Sequence, residues 1–109
     1  MARVDSNRKI SSQLIDIDRV IHEPARFLIL AYLVVVDGMD FLSLMRQTGL
    51  TQGNLSSHIR KLENEGYVEI QKDFIGKRPR TMLNISSKGR KAFMEYRERM
   101  KRAMEELPE

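Results

Sequence analysis

The segment that decides the fold is LTQGNLSSHIRKLENEGY, residues 50–67. Its aliphatic residues Leu55, Ile59 and Leu62 recur at steps of four and three, so they fall on one narrow stripe of a helix over residues 51–65. The opposite side carries small polar and basic side chains, a slim surface that suits a DNA major groove about 12 Å wide. An ordinary solvated helix face has the same pattern, so the stripe predicts the helix and leaves the role of its far side open.

A second, shorter helix precedes this one. Asp40 can cap the segment FLSLMRQT, because its carboxylate can accept from the free amides of the first turn, and Gly49 can close the helix in a left-handed conformation. Thr51 can cap the next helix only two residues later, and Gly66 can end it. Two short helices joined this closely must cross steeply, which predicts a helix-turn-helix over residues 40–66.

Beyond Gly66 the hydrophobic periodicity changes from helical to alternating. The apolar residues of this pattern are Val68, Ile70, Leu83 and Ile85. The segment DFIGKRPR, residues 73–80, interrupts the alternation and contains a glycine and a proline. The pattern therefore predicts a β-hairpin over residues 67–85, with DFIGKRPR as the interruption between its strands.

Most of the net positive charge of the chain lies in the outer part of this hairpin. Residues 71–85 contain four basic side chains and one acidic one, a net +3 out of the chain's +4. The basic residues are Lys72, Lys77, Arg78 and Arg80. A basic hairpin after a helix-turn-helix can lie along phosphates or place a side chain in the minor groove. A solubilising turn with no partner is the alternative.

Further helices flank this unit. The segment PARFLILAYLVVV, residues 24–36, is apolar nearly all round, which predicts a buried central helix with Pro24 at its first position. Helical spacing also predicts an N-terminal helix over residues 10–21 and a C-terminal helix over residues 86–107. The N-terminal stripe comprises Ile10, Leu14, Ile17 and Ile21, and the C-terminal seam comprises Phe93, Tyr96, Met100, Ala103 and Leu107. Such stripes pack on their own domain or on a partner's copy; because the C-terminal helix is long for this chain, we expect a dimer interface.

Length and composition bound the remaining possibilities. At 109 residues we expect one domain, and the net charge of +4 is compatible with a polyanionic partner. There is no cysteine, so disulfides, thiolate zinc sites and thiol redox sensing within the chain are excluded. No glycine-rich phosphate loop or nucleophile elbow occurs and there are two histidines, so we expect no enzyme, metal or cofactor. The longest apolar run, residues 27–36, is about half of a membrane span, which predicts a cytoplasmic protein without a membrane partner.

Two segments resemble a known family. DFLSLMRQTGLTQGNLSSHIRKLENEGYVEI, residues 40–70, followed by RPRTMLNISSKGRKAF, residues 78–93, resembles the winged-helix transcriptional regulators of the MarR and ArsR type, especially the small archaeal and bacterial ones. The resemblance covers about residues 22–100, and LNISSKGR is similar to the strand-to-helix junction LT-x-x-G of MarR proteins. It implies a mainly α fold with a small β-hairpin, a winged helix-turn-helix with long terminal helices that form a dimer interface.

The resemblance also implies which residues contact DNA. Amide and hydroxyl contacts would fall on Gln52, Asn54, Ser56 and Ser57, cationic contacts on Arg60 and Lys61, and wing contacts on Lys77, Arg78 and Arg80. Gly53 departs from the family's more usual small polar residue, although a close approach of the backbone to DNA would explain a glycine there. The cysteine and histidine sets of metal-sensing ArsR proteins are absent, so no metal function is implied.

Two functions from different classes follow. In the first, a homodimer binds double-stranded DNA at a pseudo-palindromic operator and regulates transcription, and any small-molecule effector changes the distance between the two recognition helices. In the second, the winged helix is a protein–protein interaction module without specific DNA binding. Affinity for duplex DNA that falls steeply with salt distinguishes the first from the second.

Overall fold

The structure, a computed structural model, describes residues 12–108. The elements follow in the order α1 (Pro24–Val35), β1 (Met39–Asp40), α2 (Phe41–Thr48), α3 (Gln52–Asn64), β2 (Val68–Ile75), β3 (Arg78–Ile85) and α4 (Ser87–Glu105). The predicted fold class, mainly helical with a small β-hairpin, is confirmed. The strands form an antiparallel sheet in the order β1-β3-β2. None of the helices in the described residues is long and apolar enough to cross a membrane.

Helix α1 begins at Pro24, as its sequence predicts. The carboxylate of Glu23 accepts from the backbone N–H of Arg26 at 2.8 Å and so caps the helix. Its inner side lies at the centre of the core, where three side chains are fully buried: Ile29, Leu30 and Leu33. The outer side is different, because Phe27 and Val35 remain 39% and 83% exposed. The helix is therefore buried on one side and not all round.

The helix-turn-helix is held by local hydrogen bonds. Asp40 caps α2 by accepting from the backbone N–H of Ser43, and hydrogen bonding from Ser43 lowers the pKa of the Asp40 carboxyl. Gly49 ends α2 with a φ of 73°, in the left-handed region. Thr51 then caps α3 by accepting from the N–H of Asn54 at 3.2 Å. These caps fix where each helix starts and ends, and hence the tight turn between them.

The N-terminal helix predicted over residues 10–21 is wrong for most of its length. Helical conformation is described only at residues 12–14, and residues 15–23 form turns, bends and extended links. The cause is Asp18, whose carboxylate accepts from the backbone N–H groups of Val20 and Ile21 at 2.9 and 3.1 Å. Such local bonds compete with helix formation. Ile21 is then fully buried in the core of its own chain.

The hairpin also differs from its prediction. The segment DFIGKRPR is not an interruption, because β2 and β3 pair without a break from Val68↔Ile85 to Ile75↔Arg78. Only residues 76 and 77 form the turn. Gly76 has a φ of 61°, the sign that a type II′ hairpin turn requires at its first central residue. Pairing with β3 thus carries the strand through a stretch that has no alternating hydrophobic pattern.

The start of α4 is packed against the start of β2. The carbonyl of Tyr67 accepts from the N–H of Ser86 at 2.9 Å, and the phenol of Tyr67 donates to the carboxylate of Asp18. Burial and this hydrogen bond raise the pKa of the phenol well above its usual range. Gly89 is buried at this contact. Only glycine fits here, because a Cβ would lie 2.2 Å from the Tyr67 carbonyl oxygen. The contact fixes α4 relative to the hairpin.

Candidate nucleic-acid interface

Helix α3 has one face in the core and the rest in solvent. Leu55, Ile59 and Leu62 are at most 3% exposed, so the predicted stripe holds the helix against the domain. The side chains predicted to contact DNA project away from that stripe. Gln52, Asn54, Ser57, Arg60 and Lys61 are exposed, and Ser56 is half-buried. Within residues 12–108 the two basic residues of this set make no ion pair with an acidic side chain, so both cations are available to an anion.

A groove of about 400 Å³ separates α3 from the hairpin. Gln52, Ser56 and Arg60 line its helical wall, and Lys72 and Thr81 line the opposite wall. Lys72 and Thr81 pair directly across β2 and β3, on the face that carries the buried Leu83. The groove therefore presents amide, hydroxyl and cationic groups from two elements toward one space, together with the carboxylate of Glu63 on α3.

Sequence reasoning left Lys72 and Thr81 out of the site. The alternation from Ile70 to Lys72 places both side chains on one face of the strand, and Ile70 packs against the core beside α3. That alternation was a sufficient signal for Lys72. Thr81 had no such signal, because only the register of β3 against β2 puts it opposite Lys72.

The three predicted wing residues are not equivalent. Lys77 and Arg78 are exposed at the end of the hairpin. Arg80 instead donates from Nε and Nη2 to the two carboxylate oxygens of Asp73, at 2.8 and 2.7 Å. The two residues face each other across the strands, and the pairing lowers the pKa of the Asp73 carboxyl. Arg80, expected as a free cation, is thus occupied by a bidentate ion pair.

We expect Asp73→Asn to raise the affinity for duplex DNA by about threefold to tenfold, because the change frees Arg80 and removes a negative charge from the hairpin. The measurement is the Kd for a labelled 30-base-pair duplex at several salt concentrations. The slope of log K against log salt should steepen by about one unit. Asp37→Asn, at an exposed site in the loop after α1, is the control for net charge. An equal gain in that control would contradict a specific role for the Asp73–Arg80 pair.

Two histidines link the elements around this surface. The guanidinium of Arg26 donates to Nδ1 of His58 on α3 at 3.3 Å, and the Glu23 carboxylate lies 3.6 Å from the same nitrogen. The second histidine, His22, precedes Glu23 in the chain, and its Nδ1 is hydrogen-bonded to the hydroxyl of Tyr96 on α4 at 2.9 Å. Residues 22–26 therefore connect α4 to α3, and His58 packs locally rather than facing the groove.

The predicted dimer seam on α4 lies largely inside the protomer. Phe93, Tyr96 and Ala103 are only 5–7% exposed, and the ring of Phe27 on α1 stacks on Phe93 with centroids 5.4 Å apart. Phe27 thus covers part of the seam within the protomer and leaves little of these three side chains exposed, and their place in a dimer interface stays a prediction.

Other members of the predicted interface have different surroundings. Met100 and Ile17 are partly buried against the core, whereas Leu14 and Leu107 are 37% and 49% exposed. Ile10 lies outside the described residues. Exposed apolar surface continues on α4 at Met104, which is 63% exposed.

An apolar cavity of about 420 Å³ lies between the start of α1 and the middle of α4. Phe27, Tyr96 and Met100 supply its apolar lining, and its polar lining comes from His22, Glu23 and Arg97. This volume is within the range of small-molecule sites. The cavity borders the segment that contacts both Tyr96 and His58.

Comparisons with known proteins agree with this architecture. The family described as "Winged helix DNA-binding domain" matches residues 25–104. An uncharacterized protein of Methanocaldococcus jannaschii is 38% identical over 78 residues, which cover 72% of this chain and 85% of that protein. The structure of a transcriptional regulator homologue from Pyrococcus horikoshii OT3 superposes with a TM-score of 0.77 and 28% identity, over 93% of this chain and 95% of that one. The crystal structure of MarR superposes with a TM-score of 0.72 and 18% identity, over 94% and 72% of the two chains.

Proposed function

The chain belongs to the family of winged helix DNA-binding domains, and from this premise we propose that it is a transcriptional regulator that binds a pseudo-palindromic operator as a homodimer. Its α3 enters the major groove and its hairpin contacts the adjacent backbone or minor groove. One observation carries this proposal. The polar groups and Arg60 of α3, next to Glu63, line one wall of a groove whose other wall carries the basic residue Lys72.

The groups on the two walls have separate roles in this proposal. Amide and hydroxyl groups such as those of Gln52 and Ser56 can exchange hydrogen bonds with base edges. Arg60 can bind a guanine edge or a phosphate, and Lys61, Lys77 and Arg78 supply phosphate contacts. Phosphate contacts set the orientation and most of the salt dependence, whereas the base contacts set the sequence preference.

Selection of bound duplexes from a random pool at physiological salt tests the operator directly. The expected result is a motif of two inverted half-sites with centres about 10 base pairs, or one helical turn, apart. A single half-site would contradict the homodimer and leave DNA binding intact. No enrichment, together with duplex affinity that is independent of salt, would favour the alternative of a protein-interaction module.

The dimer in this proposal uses the exposed C-terminal end of α4 and Leu107 just beyond it. We expect the double variant Met104→Glu/Leu107→Glu to be monomeric in sedimentation experiments, because it places two charges in an apolar surface that must be desolvated on pairing. Its affinity for a full operator should fall at least tenfold, to the level of a single half-site. Met94→Glu changes another exposed methionine on a different face of α4 and should stay dimeric. Monomeric wild-type protein would contradict the proposed assembly.

An effector, in this proposal, occupies the cavity beside α1. Its apolar walls suit a small molecule, and its lining offers polar partners of both signs from Glu23 and Arg97. Residues 22–26 contact both the cavity and His58, which supports a route by which occupancy changes the position of α3. The expected effect is a shift in DNA affinity on adding ligand, with a reciprocal shift in ligand affinity on adding DNA.

A further inference from the structure

The tip of the hairpin exposes large apolar side chains. Phe74 is 69% exposed and Ile75 is 59% exposed, and Pro79 pairs directly with Phe74 across the strands. Turn regions of soluble domains are ordinarily polar, so two adjacent exposed apolar residues next to a two-residue turn need an explanation. Since neighbouring strand residues point to opposite faces, Phe74 shares its face with Lys72 and Ile75 does not.

The charges around this tip indicate a polyanion as its partner. Lys72, Lys77 and Arg78 are exposed within five residues of Phe74. The carboxylate of Asp73 is already neutralised by Arg80. An apolar tip within a ring of cations is complementary to a surface that is apolar inside and anionic at its edges. Stacked base pairs between two phosphate backbones have that character.

The hairpin also has the length and the stiffness to reach a second groove. Ile70↔Leu83 is the last pair with a fully buried side chain, and pairing continues without a break to Ile75↔Arg78. Five further residues of strand extend about 17 Å at about 3.4 Å per residue. A major groove and the neighbouring minor groove are separated by about half a helical turn of DNA, also about 17 Å. The bidentate Asp73–Arg80 pair holds the two strands together just below the tip.

We propose that Phe74 is a wedge that inserts between base pairs in the minor groove next to the major groove occupied by α3, and that it bends the duplex. The inference rests on the proposed function and adds shape readout to it. Proteins that insert apolar side chains from the minor groove unstack one base step and kink the DNA. The wedge would favour flexible pyrimidine–purine steps, so it would contribute specificity at a position without base-edge hydrogen bonds.

The test uses the full chain and a 30-base-pair duplex that carries a selected site, labelled with a dye at each end. Energy transfer between the dyes reports bending, and 2-aminopurine placed step by step under the hairpin reports unstacking. We expect the wild-type complex to bend the DNA by about 20° or more, with one step unstacked. Phe74→Ala should abolish both signals and lower affinity about tenfold, with an unchanged salt slope.

Two control variants make the result specific. Ile75→Ala removes an apolar side chain of similar exposure from the opposite face and should keep the bend, and Lys77→Ala should reduce the salt slope and keep the bend. Thermal unfolding checks that Phe74→Ala is folded. Tight binding to a straight duplex, or an unchanged bend in Phe74→Ala, would overturn the wedge and leave the proposed function intact. Absence of duplex binding by the wild-type protein would overturn both.

Discussion

Gly89→Ala is expected to lower the free energy of unfolding by about 3 kcal/mol, or to prevent folding altogether, although it adds one methyl group. The methyl carbon would lie 2.2 Å from the carbonyl oxygen of Tyr67 and 2.9 Å from two of its backbone carbons. Neither partner can rotate away, because the Tyr67 oxygen accepts from the N–H of Ser86 at the start of α4. Thermal denaturation should show a midpoint lowered by more than about 10 °C.

Gly53→Ala is the matched control for this change. Gly53 is also helical, but a Cβ there meets nothing within 4 Å. The same substitution should therefore raise stability by up to about 1 kcal/mol through helix propensity. If the DNA backbone approaches α3 at this point, the stabilised variant will bind duplexes more weakly. Equal stability of Gly89→Ala and wild type would show that α4 does not pack against Tyr67 as described.

The parts of this fold that depend on neighbouring residues could be predicted from sequence. Asp40, Gly49 and Thr51 each act within one helical turn, so the ends of α2 and the start of α3 follow from residue type and spacing. The stripe that buries α3 is likewise a local periodicity. This is why α3 and the turn before it lie where the sequence predicts.

The features that the sequence did not predict depend on contacts between residues distant in the chain, or on a side chain that competes for backbone hydrogen bonds. The two-residue strand β1 has no pattern of its own and exists because Met39 and Asp40 pair with β3. Residues 15–21 have helical spacing, but the carboxylate of Asp18 binds the backbone instead. The seam of α4 was correctly read as apolar, yet a stripe does not identify what covers it. In this protomer Phe27 covers part of the seam by stacking on Phe93.

In the candidate site, too, local spacing could be used for prediction and long-range pairing could not. Residue types and helical spacing were enough to place Arg60 on the exposed side of α3. The ion pair between Arg80 and Asp73 could be predicted only from the strand register. The two residues are seven positions apart and meet only when Ile75 pairs with Arg78. A count of basic residues in the hairpin therefore overstates the charge that is free to bind phosphate.

Arg60 on α3 and Arg78 at the hairpin tip are exposed, and neither forms an ion pair within residues 12–108. We expect Arg60→Ala/Arg78→Ala to lower the affinity for duplex DNA about 100-fold or more, because each exposed guanidinium contributes about 1 to 3 kcal/mol when it contacts a base or phosphate. The slope of log K against log salt should decrease in magnitude by about two units if both contact phosphate. Titrations at several salt concentrations measure both quantities.

The double variant Lys91→Ala/Lys101→Ala is the control, since it removes two exposed cations from α4 and causes the same change in net charge. Its affinity should stay within about threefold of wild type, because net charge alone acts weakly once salt screens it. Arg60→Ala alone then separates two roles: a uniform loss over all sequences identifies a phosphate contact, and relaxed preference at one base pair identifies a base contact. Unchanged affinity of Arg60→Ala/Arg78→Ala would mean that DNA does not bind through the exposed arginines of α3 and the hairpin tip.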